Sequence, residues 1–335
     1  MTRPFLTVLT APILPLPKLA YRQLRAAVRP LVKPGVPLPA TSPYPGHYAL
    51  VRSVVAGLRS IGADFNFNPP TFGQLARVVY APANEALRQA ATLKRRGRID
   101  FLVAGPTNAL FADECDAVML MPEIDLLILA ADWAREFFQH EAPAIQAKIR
   151  ICQAGVDSEY WKPSGAAAAD RAVVYWKSGD EAFCEAVERL AGAHGLTVLR
   201  LRSGHGAWHH FDADSYRRAL DGAAVGLFLS TFETQGLALV EAWAMDVPTL
   251  VWDPCGDAEW RGRVFRSRSS CPYLTSATGR TWRTLDELDA LLRETLSDRG
   301  TFHPRDWVLA HMTDAICSAA LYRIIENGVE GAERQ

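Results

Sequence analysis

One segment constrains the chain more than any other: Ser230-Thr231-Phe232-Glu233-Thr234-Gln235-Gly236-Leu237-Ala238-Leu239-Val240-Glu241-Ala242-Trp243-Ala244-Met245. An apolar run, 225–229, precedes it, and a second, 247–252, follows. Short apolar runs bounded by turn residues read as buried strands, and a helix between two of them makes a βαβ unit of a parallel sheet. From Gly236 to Met245 the helix is apolar on every side except at Glu241. A carboxylate there has to be hydrogen-bonded or paired, because a bare buried charge is strongly unfavourable. Glu233 sits in the turn at the carboxyl end of the strand, where open α/β sheets bind ligands. The Gly236 and Leu237 amides open the helix without intrahelical partners and form a seat for a phosphate. The residues leave Glu241 two readings, a ligand contact or a pairing with a buried arginine.

The rest of the chain supplies the same alternation. Strands are expected at 5–11, 63–67, 77–80, 99–104, 125–130, 148–152, 172–175 and 197–201. Helices fall between them, at 50–61 after Pro45-Gly46-His47-Tyr48, at 83–94, at 132–139 with Asp132 as N-cap, at 181–193, and at 216–220 with Asp214 as N-cap. Residues 254–281 read as an Arg-, Ser- and Gly-rich loop region, and two amphipathic helices close the chain at 285–296 and 307–325. Gly165 and the four alanines at 166–169 make a small-residue linker that suits a domain boundary. At 335 residues, 49% apolar and 22% charged, the chain can carry two α/β domains with large cores.

Net charge of -1 gives no general pull toward nucleic acid, and no aromatic–basic interleaving is present. The six cysteines are scattered without a C-x-x-C pair, which reads as reduced thiols in a cytoplasmic protein rather than disulfides or zinc. No acid precedes Asp64, whereas Arg22, Arg25 and Arg29 share one face of a short helical window. That basic face is either solvated or a contact for anionic lipid headgroups, at the inner face of the membrane, or for a phosphorylated acceptor. Asp212-Ala213-Asp214 precedes a helix rather than ending a strand, and His209-His210 has no third ligand at a fitting spacing, so no metal is expected. No G-x-G-x-x-G opens a helix, so a nicotinamide or flavin Rossmann enzyme lacks its fingerprint, and no G-x-S-x-G nucleophile elbow occurs.

Two glutamates eight residues apart around a Gly-Leu helix start resemble the E-x7-E motif of retaining GT-B glycosyltransferases, and the similarity extends through Glu241-Ala242-Trp243-Ala244 to Pro248. Gly155-Val156-Asp157 with Trp161 and Pro163 is similar to the stretch that joins the two GT-B domains, and Ala131-Asp132-Trp133 to a helix start common in that family. The resemblance implies an α/β fold of two facing Rossmann-like, doubly wound domains. The first, 1–160, would be acceptor-side, the second, 161–303, would bind the nucleotide sugar, and 304–335 would return as a helix to the first.

It also implies roles. Glu233 would face the donor sugar, and Glu241 would hold the ribose hydroxyls. Lys177 and the Gly236 and Leu237 amides would meet the diphosphate, with Thr234 and Gln235 beside them, and the loop with His205 would border the base. The family usually pairs that lysine with an arginine, and only Lys177 stands here. An N-terminal glycine loop near the donor phosphates is represented by a single Gly46, with His47 and Asn108 as candidates for acceptor or phosphate contact. The implied activity is transfer of a sugar from a nucleotide-diphosphate sugar to a glycan or lipid-linked acceptor, with no metal or other cofactor. A GT-B-like protein that binds a nucleotide sugar without transferring it, or a nucleotide-sugar epimerase, are the alternatives.

Overall fold

The computed structural model describes residues 3–14, 47–107, 109–165, 170–202, 212–266 and 269–334. Gly46, Asn108, His205, the Arg22, Arg25 and Arg29 window and the four linker alanines lie outside the described residues. In the first half the order is β1 (Leu6–Val8), α1 (His47–Ser60), β2 (Phe65–Phe67), β3 (Val78–Ala81), α2 (Asn84–Arg95), β4 (Phe101–Ala104), β5 (Leu126–Leu129), α3 (Asp132–Glu141) and β6 (Ile149–Ile151). These strands make one parallel sheet in the order β2-β1-β3-β4-β5-β6.

The second half runs β7 (Arg171–Trp176), α4 (Glu181–Ala193), β8 (Thr197–Arg202), α5 (Ala213–Leu220), β9 (Val225–Leu229), α6 (Leu237–Ala244) and β10 (Thr249–Trp252). It continues with β11 (Asp257–Trp260), β12 (Arg263–Arg266), β13 (Gly279–Trp282), α7 (Leu285–Ser297), α8 (Pro304–His311) and α9 (Asp314–Glu333). Its main sheet is also parallel, in the order β13-β10-β9-β7-β8. Central strands such as β4, β5 and β9 are buried at every position, as sheets covered by helices on both faces demand. Each sheet has a core on either face, and α9, last in sequence, joins the first-half core through Leu321 and Ile325.

Several helix ends follow elementary capping chemistry. The Asp180 carboxylate accepts the Phe183 amide at α4, and Thr284 with Glu287 closes a capping box at α7. Other ends depart from expectation. At α3 the N-cap is Ala131 in extended conformation, and Asp132 is the first helical residue, its carboxylate 2.5 Å from Arg135. At α5 the cap is Asp212, which accepts the Asp214 and Ser215 amides, while Asp214 accepts the Tyr160 hydroxyl at 2.6 Å.

The supposed loop 254–281 carries β13 and the antiparallel hairpin β11–β12, turned at Arg261 and Gly262 with φ of 50° and 79°. Positive φ at both turn residues is what a tight hairpin of right-twisted strands requires. Finally, the single closing helix is two. Thr313 caps α9 by accepting the Ile316 amide at 3.3 Å, and the break lets the chain pass beside Val156.

Candidate active site

The site forms where the carboxyl ends of β7 and β9 meet the start of α6. The amides of Lys177 and Ser178 both donate to the Leu229 carbonyl, at 2.9 and 3.0 Å, which draws the two turns together. Lys177 Nζ then reaches Glu233 Oε1 at 2.8 Å, with the Ser230 hydroxyl 3.1 Å from the same oxygen. Both partners of the ion pair are largely shielded, with side chains 23% and 16% exposed. No described residue takes the second carboxylate oxygen of Glu233.

Gly236 caps α6 at φ 60°, a left-handed conformation that a side chain would strain. The Gly236 and Leu237 amides find no acceptor among the described residues. Beside them both polar atoms of the Gln235 amide are buried and unpaired. Buried polar groups in native proteins are nearly always hydrogen-bonded, so an amide placed like this is suited to meeting polar groups of a ligand. Thr234 is exposed at the lip of the same turn.

Glu241 lies one helical turn deeper and is 4% exposed. No described residue hydrogen-bonds its carboxylate. Burial pushes its carboxyl well above the ordinary range, and the positive charge of Arg52 opposes that rise. Arg52 comes from α1 of the first half, so charge from one half reaches the acid of the other. His47 opens α1; its Nε2 is buried without a partner, and burial pulls the imidazole below its usual value. Lys177, Glu233, Gln235, Gly236 and Leu237 are thus brought together and Glu241 lies beneath them. Arg52, Ser230 and the contacts of Trp133 described below went unread in the sequence. Arg52 is a charge among Leu50, Val51, Ser53 and Val54 on a helix whose other inward positions are apolar or small, the one local sign that it has a buried task.

The segment faces the first half directly. Leu237 packs on the core that holds Leu50 and Val54, and Phe232 packs on the core that holds Trp133 and Phe138. Two doubly wound parallel sheets therefore face one another with the motif between them, the arrangement of a known architecture. Sucrose-phosphate synthase from Thermosynechococcus elongatus matches with a TM-score of 0.52 at 13% identity over 97% of this chain and 100% of that one. The fold is GT-B. The GT-B catalytic domain of starch synthase IV from Arabidopsis thaliana, bound to ADP and acarbose, matches at 0.52 and 10% identity, over 84% of this chain and 76% of that one. The pneumococcal O-GlcNAc transferase GtfA, in complex with UDP and GlcNAc, matches at 0.50 and 13% identity, over 75% of this chain and 57% of that one. Neither protein-family models nor curated protein sequences gave a match. At such identities the likeness carries the architecture, and the site has to carry the chemistry.

Proposed function

We propose that the chain is a retaining glycosyltransferase that moves a sugar from a nucleotide-diphosphate donor to an acceptor hydroxyl. The observation that carries the reading is the set of unsatisfied donors at the start of α6: the Gly236 and Leu237 amides and the Gln235 side chain. Helix-start amides suit a diphosphate because they add hydrogen bonds to the positive end of the helix dipole. Lys177 stands close enough to exchange its Glu233 partner for a phosphate oxygen. As the sugar–phosphate bond breaks, negative charge grows on the diphosphate, and fixed donors lower the barrier by meeting it. Glu241 would hold the ribose hydroxyls from below. Glu233, with one oxygen uncommitted, would hold the donor sugar. Starch synthase IV and GtfA, bound to ADP and to UDP, share the architecture, and the same ligand class is what these donors fit.

The acceptor would be a glycan or a lipid-linked sugar in cell-surface polysaccharide or glycolipid synthesis, reached from the first domain. Arg22, Arg25 and Arg29 would hold the protein against anionic lipid at the cytoplasmic face of the membrane. No helix among the described residues is long and apolar enough to cross a membrane. A second reading, binding of a nucleotide sugar without transfer, draws on the Lys177–Glu233 ion pair, which ties up the cation and the acid together.

Calorimetry and turnover separate the readings. Titration of UDP and ADP should give Glu241→Ala a Kd about tenfold above that of the native chain, the worth of one net hydrogen bond to the ribose. An unchanged Kd removes Glu241 from the ribose. In a screen of nucleotide sugars, Glu233→Gln should keep donor affinity and lose about a hundredfold in rate. Undiminished turnover would take Glu233 out of the reaction, and no turnover by the native chain on any acceptor would leave the binding protein.

A further inference from the structure

The hairpin β11–β12 belongs to the second sheet's half of the chain but is seated on the first. Phe265 lies parallel to the Trp133 indole, 6.4 Å between centroids and 11° between planes, and meets Phe111, Phe137 and Phe232 edge-on. The Arg263 guanidinium sits 3.6 Å over the Phe111 ring and 2.6 Å from Asp113. One oxygen of Glu114 accepts the Trp260 indole N–H at 2.8 Å. The other accepts the Leu110 and Phe111 amides at 2.6 and 3.1 Å, so the acid that folds this loop also grips the hairpin. Next to it Cys115, Asp116 and Ala117 all have positive φ, a strained run that surrounding contacts must hold in place.

Two further bonds cross between the halves at the start of α3. The Tyr273 hydroxyl donates to the Ala130 carbonyl at 2.6 Å, and the Trp133 indole donates to the Glu233 carbonyl at 2.9 Å. The Glu233 amide donates to Ser269 within its own half at 3.1 Å. One backbone group of the acid is therefore fixed by each half of the molecule. The ring that fixes the carbonyl is itself held by the ring at the end of the hairpin.

We propose that Trp133 is a positioning residue for Glu233: the indole, braced by Phe265, sets the turn that carries the acid, and the hairpin latches the two halves so that the site is assembled. The catalytic part of this rests on the glycosyltransferase reading above; the mechanical part does not. Trp133→Phe keeps a ring against Phe265 and deletes the N–H, along with the part of the indole that a smaller ring cannot fill in the core. Peptides spanning 230–237 should then exchange amide hydrogens about tenfold faster, the worth of one net hydrogen bond, while peptides of α4 and β8, away from Trp133, keep the native rate. Arg263→Ser, at the half-exposed edge of the hairpin, should loosen the same peptides less and gives the comparison if the tryptophan change disturbs folding. Exchange in 230–237 equal to the native rate in both variants overturns the latch. With a donor that turns over, kcat of Trp133→Phe should fall about tenfold while donor KM stays within twofold. An unchanged kcat, or a change confined to KM, overturns the positioning role. A native chain without turnover would defeat the functional reading, and the exchange rates would still decide the latch.

Discussion

Glu241 is buried on an otherwise apolar helix, and its carboxylate has no described hydrogen-bond donor. Its folded carboxyl titrates above the ordinary 4.5 because burial disfavours the charge, with Arg52 offsetting part of that cost. A group raised in this way binds its proton more tightly folded than unfolded. Its contribution is therefore full below pH 4.5 and is lost as pH rises through the folded value. Glu241→Gln keeps the shape and removes the titration. Near pH 4 the variant and the native chain should melt together. Toward pH 8 the variant should gain about 1 kcal/mol, or roughly 2–4 °C in Tm, while losing affinity for nucleoside diphosphates. Scanning calorimetry of both proteins across that range measures it; a gap independent of pH would mean that the Glu241 carboxyl titrates alike in the folded and unfolded chain, and so is not raised by burial. The need for some partner at Glu241 was legible in the sequence, since one acid among nine apolar residues stands out. That the partner charge is Arg52, 189 positions away in the chain, depends on how α1 and α6 are brought together, and no local pattern encodes that.

At the scale of elements, strands and helices buried on one or both faces were readable from periodicity, and the structure places them within a few residues of expectation. β9, α6 and β10 came through because Val225–Leu229 and Leu250–Trp252 are uninterrupted apolar runs around a glycine-capped helix. The hairpin β11–β12 did not. Its strands have four residues each and bury only Ala258 and Phe265, so neither alternation nor hydrophobicity rises above its Arg-rich surroundings. Tertiary contact with the aromatic rings of the other half stabilises it instead, as β propensity is a matter of what the pleated surface packs against. The break between α8 and α9 was hidden for another reason: apolar spacing continues through Met312, and the Thr313–Asp314 cap signal is weaker than that pattern. In the candidate site, the turns and amides were legible, because glycine and helix start are local facts. The Trp133 indole on the Glu233 carbonyl and the Arg52 charge near Glu241 were not, because both come from the facing half.

For the whole molecule, the same arginine marks the joint between the halves. The chain crosses once at 152–165 and again at 312–314, and the two crossings pair: the Val156 amide donates to Met312 at 2.9 Å and the Asp314 amide to Val156 at 3.2 Å. Gly155 and Gly57 permit this approach, since a Cβ on either would stand within 2.4 Å of backbone oxygen of Thr313 or Asp314. Across the joint Arg52 grips Asp314 with both terminal nitrogens, at 2.6 and 3.0 Å, and reaches Asp157 at 3.4 Å. One guanidinium thus holds α1, the first crossing and α9, with Arg52 and Asp314 only 16% and 15% exposed. Removing one partner of a shielded pair leaves the other charge uncompensated, which is the expensive way to break it. Arg52→Met should therefore destabilise by about 2 kcal/mol and lower Tm by about 5 °C. Adding Asp314→Asn to that variant should restore about half of the loss, because the stranded carboxylate is gone; thermal melts of the two single variants and the double complete the cycle. Losses that simply add would mean that the arginine and the aspartate act separately and that the joint is held by backbone pairing and packing instead.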